Sequence, residues 1–119
     1  MLPLEGITVI ALEHAVAAPF ATRQLADLGA RVIKIERPRK GDFARGYDKA
    51  AKGESSYFTW LNQGKESVCL DFKQADDAEV LWSVLRKADV LIQNLSPGAL
   101  ARSGFSTEQL HAVNPRLII

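Results

Sequence analysis

The feature that most constrains the fold is a pair of short segments rich in β-branched residues, the mostly apolar Ile7–Leu12 and the partly charged Arg31–Glu36. Segments of this length that are rich in β-branched residues are typical of strands buried on both faces of a parallel sheet. Between them, Pro19 can occupy a first helical position and Gly29 can end a helix, so we expect a helix from about Pro19 to Leu28. The order strand, helix, strand predicts a βαβ unit and therefore an α/β fold.

The second half of the chain continues this alternation. We expect further strands at Ser67–Asp71, Asp89–Gln93 and Arg116–Ile119. Asp76 or Asp77 is expected to cap a helix. Its apolar stripe would consist of Val80, Leu81, Val84, Leu85 and Ala88.

Two shorter helices are expected after the fourth strand. Pro97 can open the first of them, which would end near Gly104. Ser106 and Gln109 have the spacing of a capping box for the second, which would run to about Val113. The whole pattern predicts a Rossmann-like open parallel sheet with helices on both faces, in one domain over residues 1–119. Because the last predicted strand has no element after it, we expect the chain to be part of a larger fold.

Composition excludes several classes of protein. Fifteen Lys and Arg against fourteen Asp and Glu give a net charge of +1, which disfavours nucleic acid as a partner. No apolar stretch approaches the roughly 20 residues needed to span a bilayer, so we expect no membrane association. The single cysteine cannot form an internal disulfide, and the first residues lack the pattern of a signal peptide. These observations favour a cytoplasmic protein.

The charge is segregated along the chain. The stretch from Arg31 to Lys52 contains eight basic residues and three acidic ones. Most of it lies in Arg37–Ser56, a polar segment punctuated by Pro and Gly that we expect to be a long loop, and loops of this length are usually functional. Arginine and lysine beside small residues suit phosphate recognition, although a solvated basic loop has the same pattern.

Ligands of open parallel sheets bind at the carboxyl ends of the strands. Glu36 lies where a dinucleotide-binding fold places its ribose-binding carboxylate, but residues 13–19 lack the G-x-G-x-x-G fingerprint. His14 follows a strand end and is a candidate acid, base or donor, or a packed loop histidine. Cys69 is expected to be a core residue rather than a nucleophile. No set of residues has the spacing of a metal site or of a catalytic constellation.

The sequence resembles the amino-terminal part of family III CoA-transferases, which include formyl-CoA transferase, carnitine CoA-transferase and α-methylacyl-CoA racemase. The resemblance rests on segments in the family's order and spacing: residues 3–10, 25–38, 41–42, 61–67, 70–71, 88–98 and 114–118. Residues 55–60 look like those of members that act on dicarboxylic acyl groups such as mesaconyl or succinyl.

The resemblance implies a CoA-binding domain, with coenzyme A as acyl carrier and no metal. It marks eight residues as CoA contacts: His14, Val16, Arg37, Leu61, Lys65, Asn94, Leu95 and Arg102. The family's nucleophilic aspartate has no counterpart here, so no catalytic residue is assigned. The implied reaction transfers CoA between an acyl-CoA and a carboxylic acid, in a homodimer when the family fold is complete.

Three alternatives stay open on the sequence alone. The chain could belong to an acyl-CoA racemase of the same family, which would use an acid and a base instead of a nucleophile. It could be a non-catalytic CoA-binding or dimerisation module, because the nucleophile is absent. A plain Rossmann-like nucleotide binder is disfavoured by the missing glycines.

Overall fold

A computed structural model describes all residues from 1 to 119. Its four strands are β1 (Thr8–Leu12), β2 (Arg31–Glu36), β3 (Glu66–Cys69) and β4 (Val90–Gln93). All pairs are parallel, in the order β3-β2-β1-β4. In the centre of the sheet, Ile10 pairs with Ile33 on one side and Leu91 on the other. The predicted open parallel α/β sheet is therefore confirmed.

Helices cover both faces of this sheet. They are α1 (Ala17–Asp27), α2 (Ser56–Leu61), α3 (Ala75–Leu85), α4 (Ala99–Arg102) and α5 (Thr107–Val113). On one face, Ile10 and Ile33 share a core with Leu81 and Leu85 of α3 and with Leu110 of α5. The opposite face has a smaller core, in which Val9, Ala11 and Val32 pack against Leu25 and Ala26 of α1. Successive strand residues point to opposite faces, so β1 and β2 are buried on both sides, as their composition predicts.

The segment predicted as one long loop, Arg37–Ser56, contains one short helix, and a second helix begins at its last residue. A 3-10 helix spans Phe43–Gly46, and α2 begins after Ser55, whose Oγ accepts a hydrogen bond from Phe58 N at 3.2 Å. Each helix has six residues or fewer, which is too short to leave a 3.6-residue apolar period in the sequence. Their start points depend on side-chain caps at Asp42 and Ser55.

The expectation that Cys69 is a core residue is wrong. Its side chain is exposed, and so is every residue of β3. The reason is topological, because β3 lies at the edge of the sheet and pairs only with β2. An edge strand can have the same composition as a buried strand, so composition alone did not distinguish them.

The start of α3 also differs from its prediction. Its N-cap is Gln74, whereas Asp76 and Asp77 lie in the first helical turn, where negative charge favours the helix dipole. Asp77 instead accepts a hydrogen bond from Asp71 N at 2.8 Å. The capping box of Ser106 and Gln109 is confirmed.

The predicted last strand, Arg116–Ile119, is only partly formed. Residues 116–119 form a single parallel bridge, between Ile118 and Val90 of β4. No helix in the structure is long and apolar enough to cross a bilayer.

Candidate functional site

The candidate site lies where the direction of the chain across the sheet reverses. β1 has β2 on one side and β4 on the other, so the loops after β1 and β4 leave the sheet in opposite directions. Asn94 joins these two loops, because its Oδ1 accepts from His14 N and its Nδ2 donates to His14 O, both at 3.0 Å. The carboxyl ends of the two strands are thereby fixed relative to each other.

A groove of about 1180 Å³ opens at this edge of the sheet. Its walls come from four segments: residues 12–14 after β1, residues 35–43 after β2, residues 70–77 after β3 and residues 94–103 after β4. Every strand therefore contributes its carboxyl end, which is the arrangement by which open α/β sheets bind ligands. This volume is slightly above the range of about 300–1,000 Å³ that is typical of small-molecule and cofactor sites.

A buried carboxylate, Asp42, links the loop after β2 to the loop after β1. Its side chain is fully buried, and Oδ2 pairs with Lys34 Nζ at 2.8 Å. Oδ1 accepts from Ala44 N at 2.9 Å and from Ala15 N at 3.0 Å. Ala15 has φ 65°, a left-handed conformation that costs a residue with a Cβ roughly 1 kcal/mol. The hydrogen bond from Ala15 N helps to hold that conformation.

A second buried carboxylate, Glu36, closes the same loop. It receives two hydrogen bonds from Arg45, at 2.7 and 2.8 Å, one from Asp42 N and one from Ser67 Oγ. Burial alone would raise the pKa of Glu36, but these donors outweigh it and hold the pKa at about 2. Gly41 lets the loop pass close by, because it has φ 60° and a Cβ there would collide with the Glu36 carboxylate.

Five of the eight basic residues from Arg31 to Lys52 fall into two groups, those that form salt bridges and those that line the groove without one. Arg31, Lys34 and Arg45 form salt bridges with Glu66, Asp42 and Glu36. Arg37 and Arg39 line the groove and form no salt bridge, and Lys73 after β3 does the same. Beside the groove, Lys73 and Arg102 share a second cavity of about 540 Å³. The cations available to a ligand are therefore fewer than the charge count of the sequence implies, and they converge on one edge of the sheet.

The structure brings together five of the eight residues that the resemblance marks. His14, Arg37, Asn94 and Leu95 line the groove, and Arg102 lines the adjoining cavity. Val16, Leu61 and Lys65 line neither. Val16 is the exposed N-cap of α1, and Leu61 is completely buried.

Lys65 is held inside the protein. Its ammonium donates to Glu13 Oε1 at 3.0 Å, and to Asn62 Oδ1 and the Pro19 carbonyl at 2.9 Å. Both side chains of the Lys65–Glu13 salt bridge are at most 2% exposed. Burial lowers the pKa of Lys65 to about 8, although the Glu13 carboxylate acts against that change. With three donors used, this lysine has no N–H directed to the groove.

Arg39 belongs to the basic loop in which the sequence predicts phosphate recognition, and it lines the groove, whereas sequence reasoning did not single out the groove residues Phe43 and Lys73. The Phe43 ring lies 4.8 Å from the His14 ring, measured between centroids, and together they form one part of the wall. Lys73 was identifiable in principle, because it is the second residue after the predicted strand Ser67–Asp71 and ligands bind after strand ends. Phe43 gives no such signal, because its position depends on the cap made by Asp42.

The geometry suits an elongated anion. Arg37, Arg39 and Lys73 line the groove without a salt bridge, as do the carboxylates of Asp71 and Asp77. The buried carboxylates of the groove, Glu13, Glu36 and Asp42, are each neutralised by a salt bridge. No group of three His, Cys, Asp or Glu residues is arranged to hold a metal ion.

Comparison with known proteins identifies relatives that are named as CoA-transferases. An acetyl-CoA:oxalate CoA-transferase of Acetobacter aceti is 47% identical over 116 residues, which are 98% of this chain and 30% of that protein. A formyl-CoA:oxalate CoA-transferase of Rhodopseudomonas palustris (strain TIE-1) is 44% identical over 117 residues, 98% of this chain and 28% of that protein. The chain thus spans less than a third of the length of these curated relatives.

Solved structures that are similar to this chain cover nearly its whole length. A hypothetical protein from Mycobacterium tuberculosis superposes with a TM-score of 0.91 at 34% identity, over 99% of this chain and 32% of that one. A CAIB/BAIF family protein from Brucella suis gives a TM-score of 0.90 at 37% identity, over 98% and 32%. The profile of CoA-transferase family III matches residues 4–119. The chain belongs to CoA-transferase family III.

Proposed function

We propose that residues 1–119 form the CoA-binding part of an enzyme that transfers CoA between an acyl-CoA thioester and a carboxylic acid. The observation that carries this proposal is the groove at the β1/β4 reversal, lined by cations without carboxylate partners, in a member of CoA-transferase family III. The proposal makes the groove the CoA site and assigns its residues to binding and orientation.

The chemistry of CoA fits these cations. CoA carries a 3′-phosphate and a diphosphate, and arginine can bind phosphate oxygens through two parallel hydrogen bonds. We assign Arg37 and Arg39 to one phosphate-bearing end of the nucleotide, and Lys73 with Arg102 to the other. His14, Asn94 and Leu95 would border the part of CoA between them.

A nicotinamide dinucleotide fits this edge less well. Dinucleotide-binding folds use a free carboxylate at the end of the second strand to accept hydrogen bonds from ribose hydroxyls. Here Glu36 is 4% exposed, and both of its oxygens already accept from Arg45. The missing glycine fingerprint in residues 13–19 agrees with this conclusion.

The relatives favour a transferase over a racemase. Both are named for reactions between an acyl-CoA and oxalate, so we propose oxalate, a short dicarboxylic acid, as one acid substrate. In such a transfer an enzyme carboxylate attacks the carbonyl of the donor thioester, which gives a mixed anhydride and the CoA thiolate. The thiolate then attacks the enzyme's carbonyl of that anhydride, which releases the donor acid and leaves CoA bound to the enzyme as a thioester. The acceptor acid repeats the exchange, which forms the new acyl-CoA and restores the enzyme carboxylate. We assign no nucleophile within these residues. We also propose that this enzyme is cytoplasmic and, by resemblance to the family, that it is a homodimer.

Thermal unfolding in the presence of nucleotides tests this proposal. A ligand at 100 times its Kd stabilises a fold by about 2.7 kcal/mol, so CoA at high concentration should raise the Tm measurably. NAD at the same concentration should produce a much smaller rise, and dephospho-CoA, which lacks the 3′-phosphate, an intermediate one. A larger rise with NAD than with CoA would overturn the assignment in favour of a dinucleotide binder.

A further inference from the structure

We infer that Asp42 is a positioning residue of the groove, which holds His14 and Phe43 in place as one wall of the CoA site. This inference rests on the proposed function, since it concerns how the same groove is shaped for CoA. Asp42 lines the groove, but its side chain has no exposed surface, so we assign it no direct contact with the ligand.

On the β1 side, Asp42 holds the turn at His14 and Ala15. Ala15 N donates to Asp42 Oδ1, while His14 N and O both bond to Asn94. The short turn at His14 and Ala15 is therefore gripped from two directions. Ala15 has φ 65°, a conformation that residues with a Cβ rarely adopt without such support. Without Asp42, this turn would keep only its bonds to Asn94.

On its own loop, Asp42 holds the start of the 3-10 helix. The same Oδ1 accepts from Ala44 N and caps the 3-10 helix Phe43–Gly46. This cap fixes Phe43, whose ring contacts the His14 ring. One carboxylate oxygen therefore joins the two backbone segments that carry the two rings. A change at Asp42 should displace both rings without removing either.

Asp42 is itself held in place by Lys34 and Glu36. Oδ2 pairs with Lys34, which is also buried and lies 5.5 Å from the centre of the Phe58 ring. Asp42 N donates to Glu36 Oε2 at 2.8 Å. The side chain and the backbone of Asp42 are thus each bonded to a buried charged residue. A buried charge pair keeps a fixed geometry, because leaving either ion without its partner is strongly unfavourable.

The test compares CoA affinity with the positions of the two rings. In Asp42→Ala we expect CoA to bind at least about tenfold more weakly, a loss of about 1.4 kcal/mol. The NMR resonances of the His14 ring should shift before any CoA is added, because the ring current of Phe43 changes. The matched control is Asp48→Ala, which removes another carboxylate that accepts from Ala50 N and Ser56 N outside the groove. That variant should keep both the affinity and the His14 resonances.

A double variant separates position from charge and covers the case in which Asp42→Ala fails to fold. Asp42→Asn alone leaves an amide facing Lys34, so we expect shifted His14 resonances and at least about threefold weaker binding. Lys34→Gln with Asp42→Asn restores a neutral hydrogen-bonded pair. It should return the affinity to within about twofold of the original.

The outcomes distinguish two kinds of failure. Wild-type affinity in folded Asp42→Ala or in Asp42→Asn, with Arg37→Ala still impaired, would overturn the role of Asp42 but leave the CoA site intact. An equal loss in Asp48→Ala would also overturn it, because the effect would then be one of general stability. If CoA does not bind to the wild-type chain, the proposed function itself fails.

Discussion

Asn94 closes a two-way hydrogen bond with the backbone of His14, accepting from its N–H and donating to its carbonyl, both at 3.0 Å. These residues are 80 positions apart, and the contact joins the loops that follow β1 and β4. An asparagine side chain is suited to this role, since it combines one acceptor and two donors in one plane. A carboxylate of the same shape could only accept.

Asn94→Asp should therefore destabilise the fold. Oδ1 would still accept from His14 N, but the second oxygen would face the His14 carbonyl without a proton between them. We expect a loss of about 1–3 kcal/mol in the free energy of unfolding, measured by urea denaturation at pH 7. Asn114→Asp is not a suitable control, because Asn114 also donates to two carbonyls. Gln24→Glu, at an exposed position of α1, should change the stability by less than about 0.5 kcal/mol, and equal losses in both variants would contradict this account.

Acid should weaken the fold through Glu36. Its pKa is about 2 in the folded protein against an ordinary value of 4.5, so the folded state favours the charged form. A carboxylate with a lowered pKa stabilises the protein above pH 4.5 and loses that contribution as the pH falls from 4.5 towards 2. We expect the loss from this group to be of the order of 2 kcal/mol, measured by urea denaturation at several pH values.

The matched variant for this prediction is Glu36→Gln. It should be less stable than the wild type at pH 7, since Arg45 would lose its charged partner. The difference between the two proteins should shrink below pH 4.5 as Glu36 becomes protonated. A constant difference from pH 7 to pH 2 would show that Glu36 does not titrate as described.

The Lys65–Glu13 pair should support the fold and not the ligand. Lys65→Met leaves a buried carboxylate without its cation, and we expect a loss of about 3 kcal/mol in the free energy of unfolding. Lys65→Met with Glu13→Gln should recover part of that stability. If instead Lys65→Met keeps its stability and loses CoA affinity, Lys65 contacts CoA as the family resemblance implies.

The 119-residue chain should not transfer CoA between acids by itself. Its three buried carboxylates near the groove, Glu13, Glu36 and Asp42, are each held by a lysine or an arginine, so none is free to attack a thioester. The measurement is mass spectrometry of a mixture of acetyl-CoA, oxalate and the purified chain, with CoA binding measured on the same sample. Formation of oxalyl-CoA would contradict this prediction, and Asp71 and Asp77, which line the groove without a salt bridge, would then be the first candidates for the nucleophile.

The sequence predicted those elements of the fold whose residues show a regular apolar pattern or a helix-capping motif. The strands β1 and β2 follow from their β-branched apolar residues, and α5 follows from the capping box of Ser106 and Gln109. The exposure of Cys69 was not predictable, because it depends on β3 being the edge strand, and strand order is a property of the whole sheet.

The candidate site was predictable to the level of strand ends and charge. The groove does form where the loops after Leu12, Glu36, Asp71 and Gln93 meet, as the parallel sheet requires. The pairing of the charges was not predictable. Lys34 and Arg45 both belong to the basic stretch from Arg31 to Lys52 in the sequence, but in three dimensions each faces a buried carboxylate. A cation that stabilises the fold can be distinguished from one that is open to a ligand only by its contacts in the folded protein.

The most direct test of the CoA groove is calorimetric titration of CoA into Arg37→Ala. Arg37 is exposed, lines the groove and forms no salt bridge, so its loss should weaken binding at least about tenfold with little effect on stability. Arg116→Ala removes an equally exposed arginine beside the bridge to the amino end of β4, and should bind CoA within about twofold of the wild type. Equal affinities for Arg37→Ala, Arg116→Ala and the wild type would contradict the assignment of this groove to CoA.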